Sequence, residues 1–223
     1  IGDGYGGCLG TGVVQLLPTL NGGRTGLTEV QAKAAGYKTA SVICVVDDKA
    51  HYYPGASTFV VKLIAETETR KLLGLQVLGA GAVDKMTDIA VVGISRGMKL
   101  DDFDTLDFAY APPFSTAIHP FVTACYILEN KMDGLLTSMT PVEYNAGDAE
   151  GYTVLDVQPA PTIPNARWIN LSEVNGPIDG LEKDAKLLLV CAKGKRGYFL
   201  QNRLKAYGYT NTVVLEGGAF FNE

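Results

Sequence analysis

The chain has 223 residues, enough for one large or two small domains, and 47% of them are hydrophobic, so a packed core is expected. A net charge of −5 gives no support to a nucleic-acid or membrane-surface role. No apolar run approaches the ~20 residues of a membrane span, so no membrane partner is expected either. Four scattered cysteines without a C-x-x-C pair, and only two histidines, argue against a disulfide scaffold and exclude a His-rich metal site. They fit a reducing, cytoplasmic setting. The opening Ile1-Gly2-Asp3-Gly4 is neither basic nor followed by an apolar stretch, so no signal peptide is expected. Without an initiator Met, the chain reads as a fragment of something longer.

Residues 2–12 are glycine-rich, but no strand precedes them and their spacing is poor for a phosphate loop, so a flexible lead-in is expected. Residues 13–17 read as a strand. Thr28 and Gln31 form the pattern of a capping box, and Gly36 closes the short helix that follows. The β-branched run 41–46 is a strand. Strands 58–65 and 72–78 flank a polar turn and predict an antiparallel hairpin. A helix over 82–96 carries Val83, Met86, Ile89, Ala90 and Ile94 on one face and ends at Gly97. A short acidic helix over 100–106, a break at Ala111-Pro112-Pro113 and a last helix over 120–129 complete an α+β half.

Two stretches of this half could carry chemistry: His51-Tyr52-Tyr53-Pro54-Gly55 and Tyr110-Ala111-Pro112-Pro113-Phe114-Ser115. A tyrosine hydroxyl can donate a hydrogen bond or a proton while its ring packs. The alternative is a turn with packed aromatics. Together with Gly26-Leu27-Thr28-Glu29, Ala32-Lys33-Ala34-Ala35-Gly36, and the strands over 60–65 and 73–79, these stretches resemble the C-terminal dimerisation domain of the pyridine nucleotide–disulfide oxidoreductases. The pairing of His51-Tyr52-Tyr53-Pro54-Gly55 with Tyr110 is similar to the coenzyme A–disulfide reductase and NADH oxidase branch. The resemblance implies a homodimer formed through residues 1–134. It implies that Tyr52 and Tyr110, with His51 beside them, serve a partner subunit's thiol/disulfide site. It also implies that FAD and NAD(P)H belong to an N-terminal half of the intact protein, so no cofactor is expected on this chain alone. Ala117-Ile118-His119-Pro120 is similar to the His–Glu pair of the glutathione reductase branch. The glutamate expected five positions on is Ala124, so a structural or helix-capping role is expected for His119.

A new helix start at Thr140-Pro141-Val142-Glu143 follows Gly134, where the domain boundary is placed. Strands are expected over 152–157, 167–171, 186–190 and 212–215, with a helix over 198–207. The strand over 186–190 ends in Cys191, and Ala192-Lys193-Gly194-Lys195-Arg196-Gly197 leads into that helix. This order places a thiol at the C-terminal edge of a sheet and near a helix N-terminus, beside three cationic residues. There it is expected to be an activated nucleophile. The spacing Cys-x4-Arg is one residue shorter than the Cys-x5-Arg of cysteine phosphatases, and a shorter loop suits a single sulfur atom better than a tetrahedral phosphate. The alternative is a buried cysteine ending a strand in an inert docking domain. Cys8, Cys44 and Cys125 are expected to pack.

The second half resembles a rhodanese domain. Cys191-Ala192-Lys193-Gly194-Lys195-Arg196-Gly197 matches the pattern C-x-x-G-x-R-[SG], Leu215-Glu216-Gly217-Gly218 resembles its closing segment, and residues 163–171 resemble its Ile-Pro-Gly-Ala…Asn segment. The resemblance implies that Cys191 carries a persulfide and that backbone N–H groups of residues 192–197 surround the terminal sulfur. Arg196 with Lys193 or Lys195 would attract small donors and acceptors such as persulfide, polysulfide, thiosulfate or a coenzyme A thiol. Two departures are Gln158, where an arginine is common, and a shortened segment between Val157 and Ile163. The expected architecture is an α+β dimerisation domain, an antiparallel sheet with helices, over 1–134, then a small α/β rhodanese domain with a parallel sheet over 135–223.

Overall fold

The structure is a computed structural model that describes residues 7–222. The first part of the glycine-rich lead-in therefore lies outside the described residues. The chain divides into two compact units, residues 7–41 with 46–128, and residues 42–45 with 129–222.

In the first unit, β1 (Gly12–Leu17) and β2 (Leu20–Gly26) form a tight antiparallel hairpin. The sequence predicts β1 but not β2, whose Leu-Asn-Gly-Gly-Arg-Thr-Gly shows no apolar alternation. Helix α1 (Glu29–Ala34) starts at the expected capping box. The Gln31 amide donates to Thr28 Oγ1 (3.2 Å), and the Thr28 amide donates to Gln31 Oε1 (2.9 Å). Strands β3 (Thr39–Asp47), β4 (Thr58–Glu66) and β5 (Leu72–Gly79) follow, and β4 and β5 pair antiparallel as predicted. The sheet order is β1-β2-β5-β4-β3.

Helix α2 (Val83–Arg96) packs on β2 and β5 and ends at Gly97 in the left-handed region. Val83, Met86 and Ala90 are buried as expected. Thr87 and Gly93 share that face, while Ile89 and Ile94 are only half-buried. The rotation follows from close packing. A Cβ on Gly23 of β2 would lie 2.3 Å from Thr87 Oγ1, so α2 crosses the sheet where β2 has no side chain. The acidic stretch after α2 is a 3-10 turn, Asp101–Thr105, anchored by buried Phe103. Helix α3 (Pro120–Met132) runs longer than predicted.

In the second unit a capping box again opens a helix, α4 (Pro141–Asn145), after a two-residue strand β6 (Ser138–Met139) that the sequence does not reveal. The Glu143 amide donates to Thr140 Oγ1 (3.2 Å) and the Thr140 amide to Glu143 Oε2 (2.7 Å). Strand β7 (Thr153–Asp156) and strand β8 (Arg167–Trp168) follow, the latter shorter than the predicted 167–171 because Leu171–Glu173 turns into a 3-10 helix. Then come β9 (Leu187–Val190), helix α5 (Lys195–Ala206), β10 (Thr212–Leu215) and a terminal turn of helix, α6 (Gly218–Phe221). All pairings in this sheet are parallel, in the order β6-β10-β9-β7-β8. The expected α+β unit with an antiparallel sheet, followed by a parallel α/β unit, is the architecture found.

Strand β9 is central, and its four residues Leu187, Leu188, Leu189 and Val190 are all buried. An uninterrupted apolar run is what a parallel strand covered on both faces requires. Full burial of each such side chain is worth about 2 kcal/mol. One face meets Met139 and Leu215. Among the described residues, no helix is long and apolar enough to cross a membrane.

Candidate functional site

Strand β9 delivers Cys191 to the C-terminal edge of the parallel sheet, the edge where open α/β sheets present their ligand sites. The side chain is almost fully enclosed, at 1% exposure. Its Sγ accepts a hydrogen bond from the Gly194 amide at 3.2 Å. Gly194 sits at φ 93° and serves as the cap residue of α5, a left-handed position that suits glycine. Helix α5 begins at Lys195, three residues before the predicted start at Tyr198. Lys195 and Arg196 therefore occupy its first turn instead of the loop. Gly197 brings α5 against the sheet, since a Cβ there would lie 3.1 Å from Val214 Cγ1 and 3.2 Å from the Leu189 carbonyl oxygen.

The other side of the loop is held by α6. The Ala219 amide donates to the Cys191 carbonyl and the Phe220 amide to the Ala192 carbonyl, each at 2.9 Å. A trans peptide sets N–H opposite C=O, so these bonds turn the Ala192 and Lys193 amides away from α6. The approach is close: a Cβ on Gly218 would lie 2.2 Å from the Cys191 carbonyl oxygen. Sequence reasoning places Gly217-Gly218 in a closing motif but misses this grip, because α6 is too short to show a periodicity.

Arg196 is half-buried, and its Nη1 is buried with no protein hydrogen-bond partner. Lys195 is exposed, with Nζ 5.9 Å from the centre of the Phe199 ring. Lys193 and Ala192 are half-buried. Another residue escapes the sequence reading. Asp156, at 0% exposure, ends β7 and accepts from the amides of Gln158 (2.9 Å), Thr162 (2.7 Å) and Ile163 (3.0 Å). It shapes the 157–163 segment. A carboxylate closing an apolar strand is the signal that could have found it.

The first unit holds the remaining candidates on two separate segments. His51 and Tyr52 occupy the turn between β3 and β4, edge to face with ring centres 5.4 Å apart, and Tyr52 is 77% exposed. Tyr110 is 56% exposed and precedes a turn in which the amides of Phe114 and Ser115 donate to the Ala111 carbonyl. These tyrosines are solvent-facing, not core aromatics. His119 is buried, and its Nδ1 accepts from the Phe121 amide at 3.2 Å at the start of α3. Burial and then the charge of Lys85 lower its pKa to about 4. Cys44 and Cys125 are buried as expected, and burial pushes the Cys44 thiol up to about 12. Cys8 is exposed, so the expectation that it packs is corrected: it lies ahead of β1, which begins only at Gly12.

Neither described sheet offers a flavin or nicotinamide a dinucleotide cradle. The hairpins of the first are antiparallel, and the strand–loop–helix turn of the second is filled by Cys191 and its loop. Among the described residues no group of three His, Cys, Asp or Glu side chains is placed to hold a metal.

An antiparallel sheet flanked by helices and a parallel sheet that ends in a gripped cysteine loop define two known classes of domain. Residues 18–121 match the pyridine nucleotide-disulphide oxidoreductase dimerisation domain, and residues 137–220 match the rhodanese-like domain. The chain therefore joins a dimerisation domain of the pyridine nucleotide-disulphide oxidoreductases to a rhodanese-like domain.

It is similar to an NAD(P)H sulfur oxidoreductase (CoA-dependent) of Pyrococcus furiosus, 35% identical over 55% of this chain and 27% of that protein. Among solved structures it is similar to an NAD-dependent persulfide reductase from A. fulgidus. There the identity is 31% and the TM-score 0.88, over 97% of this chain and 40% of that one. It is also similar to the reduced CoADR-RHD of Bacillus anthracis, with 29% identity and a TM-score of 0.85 over 99% of this chain and 40% of that one. The chain thus spans about a quarter of the curated relative, at 27%, and two fifths of the solved ones, at 40%.

Proposed function

We propose that this chain is the C-terminal portion of an FAD-dependent NAD(P)H reductase of persulfides, polysulfides or coenzyme A disulfides, and that Cys191 carries its sulfane sulfur. The observation that carries the reading is the Cys191 loop. Its Sγ receives the Gly194 amide at 3.2 Å, in a chain that also contains an oxidoreductase dimerisation domain. With thiosulfate as donor, the Cys191 thiolate attacks the outer sulfur. The S–S bond of thiosulfate breaks, a Cys–S–S bond forms, and sulfite leaves with the electron pair. Amides of residues 192–197 would stabilise the terminal sulfur anion. Arg196, with its unpartnered Nη1, and Lys193 or Lys195 would attract the anionic donor.

The first domain would supply a homodimer interface, and Tyr52 and Tyr110, with His51 nearby, would serve a partner subunit's thiol/disulfide site. FAD and NAD(P)H would bind the part of the intact protein that lies outside this chain. No flavin step is assigned to these residues. Four free cysteines suit a reducing, cytoplasmic setting.

One observation favours a rival, a docking module with an inactive loop: Cys191 is only 1% exposed, so a donor must reach it through a narrow opening. Thiosulfate or polysulfide loading followed by peptide mass spectrometry separates the two. One added sulfur on Cys191, lost in Cys191→Ser, is expected. Exposed Cys8 reports nonspecific labelling, and sulfur on Cys8 alone would leave only the docking reading.

A further inference from the structure

Outside the cysteine loop, the first unit contains a pocket of about 190 Å³ whose lining includes Asp48, Lys49, Ala82, Lys85, Ser115 and His119. Its floor is the N-terminal end of α2. The cap residue there, Ala82, makes no side-chain hydrogen bond to the helix; the Val83 amide donates to the Gly81 carbonyl (2.9 Å), and the amides that follow it in a first turn lack intrahelical acceptors. Ser115 adds a second and independent sign. At 2% exposure its Oγ is buried, lines this pocket and has no hydrogen-bond partner in the protein. A buried hydroxyl left alone is destabilising, so such groups are normally met by water or a ligand.

The remaining groups are mainly donors. His119 is 5% exposed, and because its Nδ1 accepts the Phe121 amide, the neutral ring carries its proton on Nε2. With its pKa lowered to about 4, the ring stays neutral and keeps that donor at physiological pH. Lys49 and Lys85 supply two ammonium groups. The acid of the pocket, Asp48, is already engaged: Oδ1 accepts the Ser57 amide (2.7 Å), and Oδ2 lies 3.6 Å from Lys49 Nζ. The formal charges of Asp48, Lys49 and Lys85 therefore leave one net positive charge beside the positive end of a helix, where anions are favoured.

We propose that this pocket binds a tetrahedral oxyanion of the phosphate type, held by Lys49, Lys85, the Ser115 hydroxyl and the Asp84 and Lys85 amides of the first turn of α2. The shared chemistry admits a free inorganic oxyanion or the phosphate end of an organic phosphomonoester. The site is separate from the Cys191 loop, so its fate does not depend on the sulfur-transfer reading.

Calorimetric titration of the full chain with inorganic phosphate, AMP and sulfate up to about 10 mM tests it, a range that reaches millimolar affinities. Single-site binding is expected for at least one of the three. Binding of AMP identifies the phosphomonoester as an accepted source, whereas phosphate or sulfate binding without AMP confines the site to small oxyanions. Lys85→Ala is expected to weaken binding about tenfold and Ser115→Ala about threefold, as charge-assisted and neutral hydrogen bonds differ in strength. Arg196→Ala, which alters the cysteine loop, is expected to leave it unchanged.

Thermal unfolding guards against misfolding of the variants. Ser115→Ala is expected to raise Tm in anion-free buffer by removing the orphan hydroxyl, and to diminish the rise in Tm that phosphate causes in the wild type. Absence of binding by all three anions at 10 mM would overturn the proposal. So would binding that Arg196→Ala abolishes and Lys85→Ala leaves intact.

Discussion

At Gly218 the chain has no room for a second carbon. A Cβ would meet the Cys191 carbonyl oxygen at 2.2 Å and the Ala192 carbonyl oxygen at 2.6 Å, and φ is +59°. Both obstacles are backbone, so neither can rotate aside. Gly218→Ala is expected to lower stability by about 2 kcal/mol or more and to abolish sulfur loading of Cys191. A variant that loads sulfur like the wild type would show that the α6 grip is dispensable. That Cys191 ends a strand and is followed by a turn into a helix was legible in the sequence because the pattern is local. The part played by Gly218 was not, because it depends on a contact made far along the chain.

His119 yields a second prediction at this scale. Its pKa in the fold is about 4 against an ordinary 6.5, lowered by burial and then by Lys85. The unfolded chain therefore binds the proton more readily. The stability from its neutral form is complete above pH 6.5 and is lost as pH falls from 6.5 toward 4. Glu29, held down to about 2 first by its hydrogen bond with Lys33, is lost only at lower pH, between its ordinary 4.5 and 2. Scanning Tm from neutral pH toward 4.5 is expected to show a decline that His119→Gln flattens, and parallel curves would refute the assignment.

Among the elements, the capped helices were the most legible. Thr28/Gln31 and Thr140/Glu143 are complete in four residues and need no tertiary partner, and both form. Thr140→Ala should accordingly cost about 1 kcal/mol in chemical denaturation. Strand β2 was illegible for the opposite reason. Gly23 and Gly26 answer to α2, whose Thr87 Oγ1 and Ile94 Cδ1 would lie 2.3 and 2.6 Å from a Cβ there, and not to any strand propensity. The same holds at α5, where Gly194 and Gly197 look like loop residues but provide a left-handed cap and a close helix–sheet approach.

The edge strand β1 is exposed along its whole length. Val14 (54% exposed) and Leu16 (52%) flank Gly22 beside Leu78 (39%). An apolar, uncovered edge favours self-association. Replacing both residues, Val14→Lys with Leu16→Lys, is expected to suppress the growth of light scattering with concentration and to leave Cys191 loading unchanged. Identical scattering curves would clear β1 of that role.

For the whole molecule, the division of labour between the two domains makes opposite predictions for two sets of residues. The composition shift after Gly134 and the cysteine loop made two domains legible. Which steps each would perform is not encoded in any residue pattern here. If the first domain dimerises, light scattering at micromolar concentration should report about twice the 23.8 kDa chain mass. On the proposed function, sulfur loading would need only the Cys191 loop, whereas Tyr52 (77% exposed) and Tyr110 (56%) are solvent-facing residues of the first domain. The double variant Tyr52→Phe with Tyr110→Phe should therefore keep its dimer mass, its Tm and its Cys191 persulfide. If the chain is part of a reductase as proposed, the same pair in that intact protein should lower turnover by about tenfold or more, the scale of a lost proton or hydrogen-bond donor at a reacting group. Loss of Cys191 loading in the double variant would place the tyrosines in the sulfur-transfer step itself, and unchanged turnover in the intact enzyme would remove them from the chemistry.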